Sequence, residues 1–99
     1  MASVKSGFRL GFLTHVAGTG DAATTLAETV RLVQLAEELG YESAWVAQHH
    51  LDAESGVLPS PFVFLAAAAA RTSRIRLGTG VVILPLEDPI RVAEDAAVA

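Results

Sequence analysis

Residues 44–56 read AWVAQHHLDAESG, an apolar run that stops at Gln48 and gives way to two adjacent histidines in a polar loop. A short apolar run bounded by turn-forming residues is typical of a strand buried on both faces. We therefore predict a strand over residues 42–47 with a loop after it. His49 and His50 are then ordinary loop residues, metal ligands or part of an active site.

The residues before this strand predict a helix and an earlier strand. Thr25 and Glu28 have the spacing of a capping box, in which each side chain bonds the free backbone N–H of the other. Apolar residues then recur at helical spacing, and Gly40 stands where a left-handed residue ends many helices. We predict a helix over residues 26–39 and a strand over residues 9–14, RLGFLT.

The residues after the histidine loop repeat this pattern. Ser60 can cap a helix that has Pro61 at its first position, where the missing N–H costs nothing. The run IRLGTGVVIL predicts a strand, and Asp88 with Pro89 predicts another helix start. The predicted elements are a helix from Pro61 to about Thr72, a strand over residues 75–84 and a helix that begins at Ile90.

Strands and helices thus alternate as β-α-β-α-β-α, with about thirty residues per unit. This alternation indicates an α/β fold with parallel strands, in a doubly wound sheet or a (β/α)8 barrel, whose functional loops follow the strands. A full barrel takes about 250 residues. We predict that residues 1–99 are the N-terminal portion of a single TIM barrel domain, with residues 1–7 a disordered lead; a complete small α/β domain is the alternative. Tyr41 and Trp45 are expected in the core or against a helix.

Composition and charge narrow the classes of protein. The chain has no cysteine, which excludes disulfides and thiolate metal sites, and its net charge of -4 without a basic run argues against nucleic acid. The longest apolar run, around residues 62–70, is about half of a membrane span. No apolar segment of the secretory type follows Lys5 and Arg9, so the cytoplasm is the expected location.

Histidines at the end of a buried strand can transfer protons, because imidazole titrates near neutral pH. Adjacent side chains in an extended segment point in different directions, so His49 and His50 are not expected to bind one metal ion. Thr14 and His15 end the first predicted strand, at the same edge of a parallel sheet as His49. One hypothesis is that Thr14 and His15 line the same pocket as His49; the alternative is a hydrogen-bonded loop threonine and an exposed histidine.

The stretch GTGVVILP, residues 78–85, places two glycines inside a predicted strand. Glycine weakens a strand, so it indicates a bulge or the close approach of a ligand to the backbone. The alternative is a glycine that relieves crowding inside a barrel. The stretch is not a GxGxxG fingerprint and does not support a Rossmann nucleotide site.

Three stretches in this order carry a resemblance: AEELGYESAWVAQHH at residues 36–50, GVLPSPFVFLAAAAARTSRIRLGTGVVILP at residues 56–85 and DPIRVAEDAAV at residues 88–98. From about Phe8 to its end, the chain resembles the bacterial luciferase-like flavin-dependent monooxygenases. The resemblance implies a (β/α)8 barrel that binds reduced FMN, or in some branches a deazaflavin, at the C-terminal ends of its strands.

The resemblance also implies roles for individual residues. His49 matches the first histidine of the family's pair, which lies by the flavin and transfers protons or stabilises the oxygenated flavin. A cis peptide bond behind the flavin ring is implied at Gly80–Val81, so Gly80 and Val81 are expected cofactor-binding residues. Thr14 is added to them because it ends the first predicted strand at the same edge of the sheet. His50 and His15 are the expected substrate-pocket residues. The family's phosphate-binding residues lie on later strands, and Gln48 stands where some relatives have glutamate.

The function implied by the resemblance is a monooxygenase that inserts one oxygen atom from O2 into a small organic substrate. Its FMN would be reduced by NAD(P)H through a flavin reductase partner. The alternatives are a deazaflavin-dependent dehydrogenase that transfers hydride on the same barrel, and a non-catalytic truncated remnant. A metal-dependent hydrolase would need ligands on later strands. The 99-residue chain alone is expected to be inactive, and a homodimer is expected because family members often dimerise through early helices.

Overall fold

Three parallel strands form the centre of the fold. The structure is a computed structural model that describes residues 7–18 and 20–99. The predicted lead at residues 1–7 lies outside the described residues, except for Gly7. No helix within the described residues is long and apolar enough to cross a membrane. The elements are β1 Gly11–Thr14, α1 Ala22–Glu38, β2 Ser43–Val46, α2 Pro61–Ala70, β3 Arg76–Thr79, a 3-10 turn at Leu84–Leu86 and α3 Pro89–Val98.

The order of the strands in the sheet follows their order in the chain. β1 pairs with β2 and β2 pairs with β3, and both pairings are parallel. The register places Leu13, Trp45 and Gly78 in one row across the sheet. The predicted α/β class and parallel sheet are confirmed.

Helices cover one face of this sheet. Ala44 and Val46 of β2 are buried there, and the small side chain of Ala68 lets α2 approach closely enough for Ala68 to be fully buried. Tyr41 packs against this core, as expected, and its ring meets Phe12 edge-on with centroids 6.1 Å apart. The buried core residues are Val16, Val33, Ala36, Ala44, Val46, Leu58, Phe64, Leu65, Ala68 and Ile75.

The opposite face of the sheet is uncovered within the described residues. Leu13 is 53% exposed and Trp45 is 44% exposed on this face. The indole lies against Gly78, where an added Cβ would come within 2.5 Å of the ring. The prediction that Trp45 is a core residue is therefore wrong for this structure, because successive strand side chains alternate between the two faces and Trp45 falls on the uncovered one.

Helix α1 begins four residues earlier than predicted. Asp21 is its N-cap, and its carboxylate accepts the backbone N–H of Thr24 at 2.8 Å. Thr25 is buried inside the helix instead of capping it. A carboxylate caps a helix as well as a hydroxyl does, so the earlier cap starts the helix. The predicted end is confirmed, because Gly40 has a left-handed φ of 90° just after the C-cap.

The other boundaries lie within two residues of the prediction, except the end of β3. Pro61 begins α2 as predicted, but Ser60 makes no side-chain cap bond; its ψ of 79° differs from the extended ψ of 166° and 123° at Asp21 and Asp88. Asp88 caps α3 as predicted, accepting the N–H of Ile90 at 2.8 Å. β3 ends at Thr79, five residues before the predicted end, because the chain then leaves the strand ladder and turns into the 3-10 segment.

Candidate active site

The residues selected from the sequence lie at one edge of the sheet, where all three strands end. The strands are parallel, so the loops that follow them leave from this same edge. The structure therefore brings the three loops together, as the sequence predicts. The selected residues at this edge are Thr14, His15, His49, His50, Gly80 and Val81.

His15 and His49 are directly hydrogen-bonded. Nδ1 of His15 lies 2.8 Å from Nε2 of His49, and the two ring centroids are 5.1 Å apart. His15 is exposed, whereas His49 is partly buried. Each ring comes from the loop after a different strand, so the contact depends on the pairing of β1 with β2. The structure therefore brings these two candidate residues into direct contact.

Backbone bonds hold the two histidine loops against each other. The N–H of His49 donates to the carbonyl of Leu58 at 2.9 Å, and the N–H of Val57 donates to the carbonyl of Val16 at 2.9 Å. Val16 has a left-handed φ of 54°, which turns the first loop toward the second. The side chain of Val16 is buried in the core, so this loop is anchored by packing as well.

Gly56 lets the second loop pass beside both histidines. A Cβ at this position would lie 2.2 Å from the carbonyl oxygen of His15 and 2.6 Å from Cδ2 of His49. Real side chains do not come that close, so only glycine fits without a shift of the neighbours. Gly56 is thus part of the site, and the sequence offered no local signal for it.

Gln48 links the ends of β2 and β3. Its side chain is buried, with 4% of the residue exposed. Oε1 accepts the N–H of Ile83 at 2.7 Å, and Nε2 donates to Oε2 of Glu87 at 2.9 Å. Because the N–H can only donate and the carboxylate can only accept, these two bonds fix the orientation of the amide. The backbone N–H of Gln48 also donates to the carbonyl of Val81 at 3.2 Å.

His50 turns away from His49, as predicted for adjacent residues. Nε2 of His50 is hydrogen-bonded to Nε2 of Gln48. The amide nitrogen can only donate, so this ring nitrogen accepts and carries no proton in that contact. His50 therefore belongs to the Gln48 side of the site, and His49 to the His15 side.

The remaining candidates are the Gly80–Val81 backbone and the Thr14 hydroxyl. The Gly80–Val81 peptide bond is cis, as the resemblance implies. Val81 is 66% exposed, and a Cβ at Gly80 would meet Cδ1 of Leu13 at 3.2 Å, so Gly80 lies on the uncovered face of the sheet. The Thr14 hydroxyl accepts the N–H of Val16 at 3.0 Å.

A carboxylate lies in the same loop as His49. The Ser55 hydroxyl, which donates to Asp52 at 2.6 Å, is the main reason that the pKa of the Asp52 carboxyl is lowered, and the backbone N–H of Ser55 adds to it. The carboxylate at the site that sequence reasoning missed is Glu87. Its place next to the helix cap Asp88 gave no sign that it would reach back to Gln48.

Comparisons with known proteins support a relationship over most of the chain. The family model described as luciferase-like monooxygenase matches residues 8–99. The 4-hydroxyprotoasukamycin monooxygenase of Streptomyces nodosus subsp. asukaensis is 46% identical over 76 residues, which covers 77% of this chain and 20% of that protein. The oxygenase component of the flavin-dependent trigonelline monooxygenase of Acinetobacter baylyi is 33% identical over 92 residues, covering 90% of this chain and 25% of that protein.

Two solved structures resemble the fold. The monooxygenase RslO1 from Streptomyces bottropensis superposes with a TM-score of 0.85 at 35% identity, over 92% of this chain and 29% of that chain. The oxygenating constituent of 3,6-diketocamphane monooxygenase from Pseudomonas putida, solved in complex with FMN, superposes with a TM-score of 0.83 at 22% identity, over 90% of this chain and 25% of that chain. The chain spans between a fifth and a third of the length of these relatives. The predicted fold class, the first part of a luciferase-like barrel, is confirmed.

Proposed function

This chain belongs to the luciferase-like monooxygenase family, and we propose that it supplies the first part of an oxygenase that uses reduced FMN and O2 on a small organic substrate. The observation that carries this proposal is the His15–His49 pair, placed at the edge of the sheet where Val81 is exposed. In this proposal His49 is the acid or base of the site. The chemistry supplied by reduced flavin, when bound, is the two-electron reduction of O2.

The residues at this edge fit the flat ring of a flavin. Gly80 presents no side chain and Val81 is largely exposed, so a planar group can approach the backbone there. His49 and Thr14 lie at the same edge of the sheet. These residues would contact the ring system, and His49 would hold or move a proton beside it.

The same residues do not fit the phosphate of FMN. The three loops that follow the strands, residues 15–21, 47–60 and 80–88, contain no lysine or arginine. Their charged residues are Asp21, Asp52, Glu54, Glu87 and Asp88, all acidic. A phosphate group is held by cations or by clustered N–H donors, so we propose that it is bound by parts of the protein beyond these residues.

The uncovered face of the sheet supports the proposal that this chain is part of a larger barrel. Leu13 and Trp45 are large apolar side chains, each about half exposed on that face. Inward-facing side chains of a (β/α)8 barrel are packed by those of the other strands. We propose that residues 1–99 form the first portion of such a barrel and that the remaining strands bury this face. The name of the Acinetobacter relative, an oxygenase component, supports a separate reductase as partner.

A flavin titration tests this proposal. Flavin binding would be monitored by fluorescence and visible absorbance. The titration would be done on the 99-residue chain and on a chimaera in which the chain replaces the matching part of RslO1. We expect only the chimaera to bind FMN, and to consume O2 when the flavin is reduced. His49→Ala should lower turnover while FMN still binds, and the matched control Glu54→Gln, an exposed residue of the same loop, should not.

Three outcomes would contradict parts of the proposal. If the chimaera does not bind FMN but binds a deazaflavin, the protein is a hydride-transferring enzyme and not an oxygenase. A chimaera that folds and binds neither cofactor would identify the chain as a non-catalytic remnant. Tight flavin binding by the 99-residue chain alone would show that the phosphate is held by residues of these acidic loops.

A further inference from the structure

The hydrogen bond between the two imidazoles carries an inference that rests on the proposed function and extends it. We propose that His15 and His49 form a two-ring proton relay, in which His15 exchanges protons with solvent and His49 exchanges them with the reacting group. His49 is then the acid or base of the reaction, and His15 is the positioning residue that reloads it.

The relay follows from the two nitrogens that face each other. A neutral imidazole has one N–H and one acceptor nitrogen. At a separation of 2.8 Å between Nδ1 of His15 and Nε2 of His49, one nitrogen carries the proton and the other accepts it. His15 can donate to His49 or accept from it with the heavy atoms in the same positions. A reversal of the bond therefore moves a proton between the rings without moving the chain.

One passage of a proton through the relay balances in protons and charge, and a passage in the opposite direction restores the starting tautomers. A proton from water adds to Nε2 of His15, and the proton on Nδ1 of His15 passes to Nε2 of His49. His49 then releases the proton on its own Nδ1 to a basic atom of the bound reactant. One proton enters at His15 and one leaves at His49, and each ring ends as its other neutral tautomer.

The surroundings of the pair favour transfer between these two rings over other routes. His15 is exposed and His49 is partly buried, so the two ends of the relay face different environments. Nε2 of His50 is occupied by the Gln48 amide, which keeps that ring out of the relay. Asp52 is engaged by the Ser55 hydroxyl. Gly56 packs directly against the His49 ring, since a Cβ there would lie 2.6 Å from its Cδ2.

Nitrogen-15 NMR of the imidazole rings in the 99-residue chain tests this inference. In the relay, the two facing nitrogens exchange one proton, so their chemical shifts should lie between the protonated and the unprotonated values. In His15→Gln the shift of Nε2 of His49 should leave that intermediate position. The nitrogens of His50 are the internal control and should not change, since loss of the fold would move them as well.

Two results would overturn the relay. One is a wild-type spectrum in which each ring holds a single fixed tautomer. The other is a His49 spectrum that His15→Gln leaves unchanged. If the histidines of the isolated chain all give the spectrum of a free imidazole, the same spectra recorded on the flavin-loaded protein decide the matter by the same two criteria.

Turnover of the flavin-loaded enzyme gives a second readout. His15→Ala should lower kcat on the order of tenfold or more, leave the Kd of the flavin unchanged, and recover when imidazole is added to the buffer. A loss that imidazole does not restore would reduce His15 to a structural contact. If the wild-type enzyme consumes no O2, the proposed function fails, and the NMR result still decides whether the rings exchange a proton.

Discussion

Gly56 is the residue on which the geometry of the two histidines most directly depends. It contacts the carbonyl of His15 and the ring of His49 at distances that exclude a Cβ. Only glycine fits at this position because two loops approach each other closely there, and not because its φ is left-handed. The sequence around Gly56 therefore looks like that of an ordinary polar loop. The place of His49 after a predicted strand was enough to select it from the sequence. The role of Gly56 is visible only in the contacts of the folded chain.

Gly56→Ala should destabilise the chain by about 1–3 kcal/mol, because the added methyl group overpacks a site with no free space. The free energy of unfolding in urea measures this loss, and the NMR signals of His15 and His49 should shift. Gly20→Ala is the matched control: a Cβ there meets its nearest atoms at 3.7 Å, an ordinary contact. Its effect should stay within about 0.5 kcal/mol. Equal effects of the two substitutions would contradict the close packing at Gly56.

At the scale of elements, the side chains of Gln48 and Glu37 form hydrogen bonds to the segments on either side of β3. Gln48 bonds the segment after β3 at Ile83 and Glu87. Sequence reasoning considered Gln48 only as the end of an apolar run and as a position where some relatives have glutamate. Its actual partners lie 35 and 39 residues further along the chain. No local pattern encodes so distant a contact.

Gln48→Glu should destabilise the chain at neutral pH by on the order of 2 kcal/mol, since a second carboxylate would face Glu87 and the donor to it would be lost. Adding Glu87→Gln to Gln48→Glu should restore most of the loss, because the new amide can donate across the same gap. Urea unfolding of both single variants and the double variant measures this coupling. Simple addition of the two single effects would show that the Gln48–Glu87 bond is not the cause.

Glu37 performs the same task at the other end of β3. Its Oε2 accepts the N–H groups of Ser73, Arg74 and Ile75 at 3.0, 2.6 and 2.8 Å, and its backbone carbonyl accepts the Arg74 guanidinium at 2.7 Å. These N–H groups, that of Ile75 foremost, hold the pKa of the Glu37 carboxyl below its ordinary value of 4.5. The C-terminal turn of α1 is thereby bonded to the segment that leads into β3.

Glu37→Gln should lower the free energy of unfolding by about 1 kcal/mol at pH 7, because a neutral amide oxygen is a weaker acceptor. A carboxyl whose pKa is lowered in the folded state stabilises above its unfolded pKa and loses that effect as the pH falls through its folded pKa. The difference between wild type and variant should therefore shrink below about pH 4.5. Glu38→Gln, an exposed neighbour, is the control. A difference that stays constant from pH 7 to pH 3 would refute this assignment.

The element boundaries show how far local signals reach. Gly40 ends α1 where the sequence indicates, since a left-handed glycine is a local requirement. The predicted start of α1 was wrong, because Asp21 and Thr25 are both acceptable N-cap residues and the sequence does not show which of them is used. β3 is shorter than its apolar run because Gln48 replaces the strand ladder as the partner of Ile83.

At the scale of the whole molecule, the alternation of apolar runs and helices was sufficient to predict a parallel α/β sheet. It did not predict which face of the sheet the described residues would cover. Ala44 and Trp45 are adjacent in one apolar run, yet one is fully buried and the other is half exposed. Their environments differ because of what packs on each face, and that information lies outside the run itself.

The exposed row on the uncovered face should make the isolated chain self-associate. Leu13→Lys should reduce this association, measured by sedimentation velocity, since a charge on the apolar face disfavours contact with another copy. Leu32→Lys is the matched control: Leu32 is 44% exposed, similar to Leu13 at 53%, but lies on helix α1. The interpretation of the uncovered face would be wrong if Leu32→Lys had the larger effect.

The order of the strands has a consequence for biosynthesis. Within the described residues, β2 and β3 each pair with the strand made just before them, so each finds that partner already translated. A chain that leaves the ribosome from its N-terminus can therefore dock its strands one after another. In such a chain both histidines of the pair are outside the ribosome once the loop after β2 has emerged, before β3 and α3 emerge.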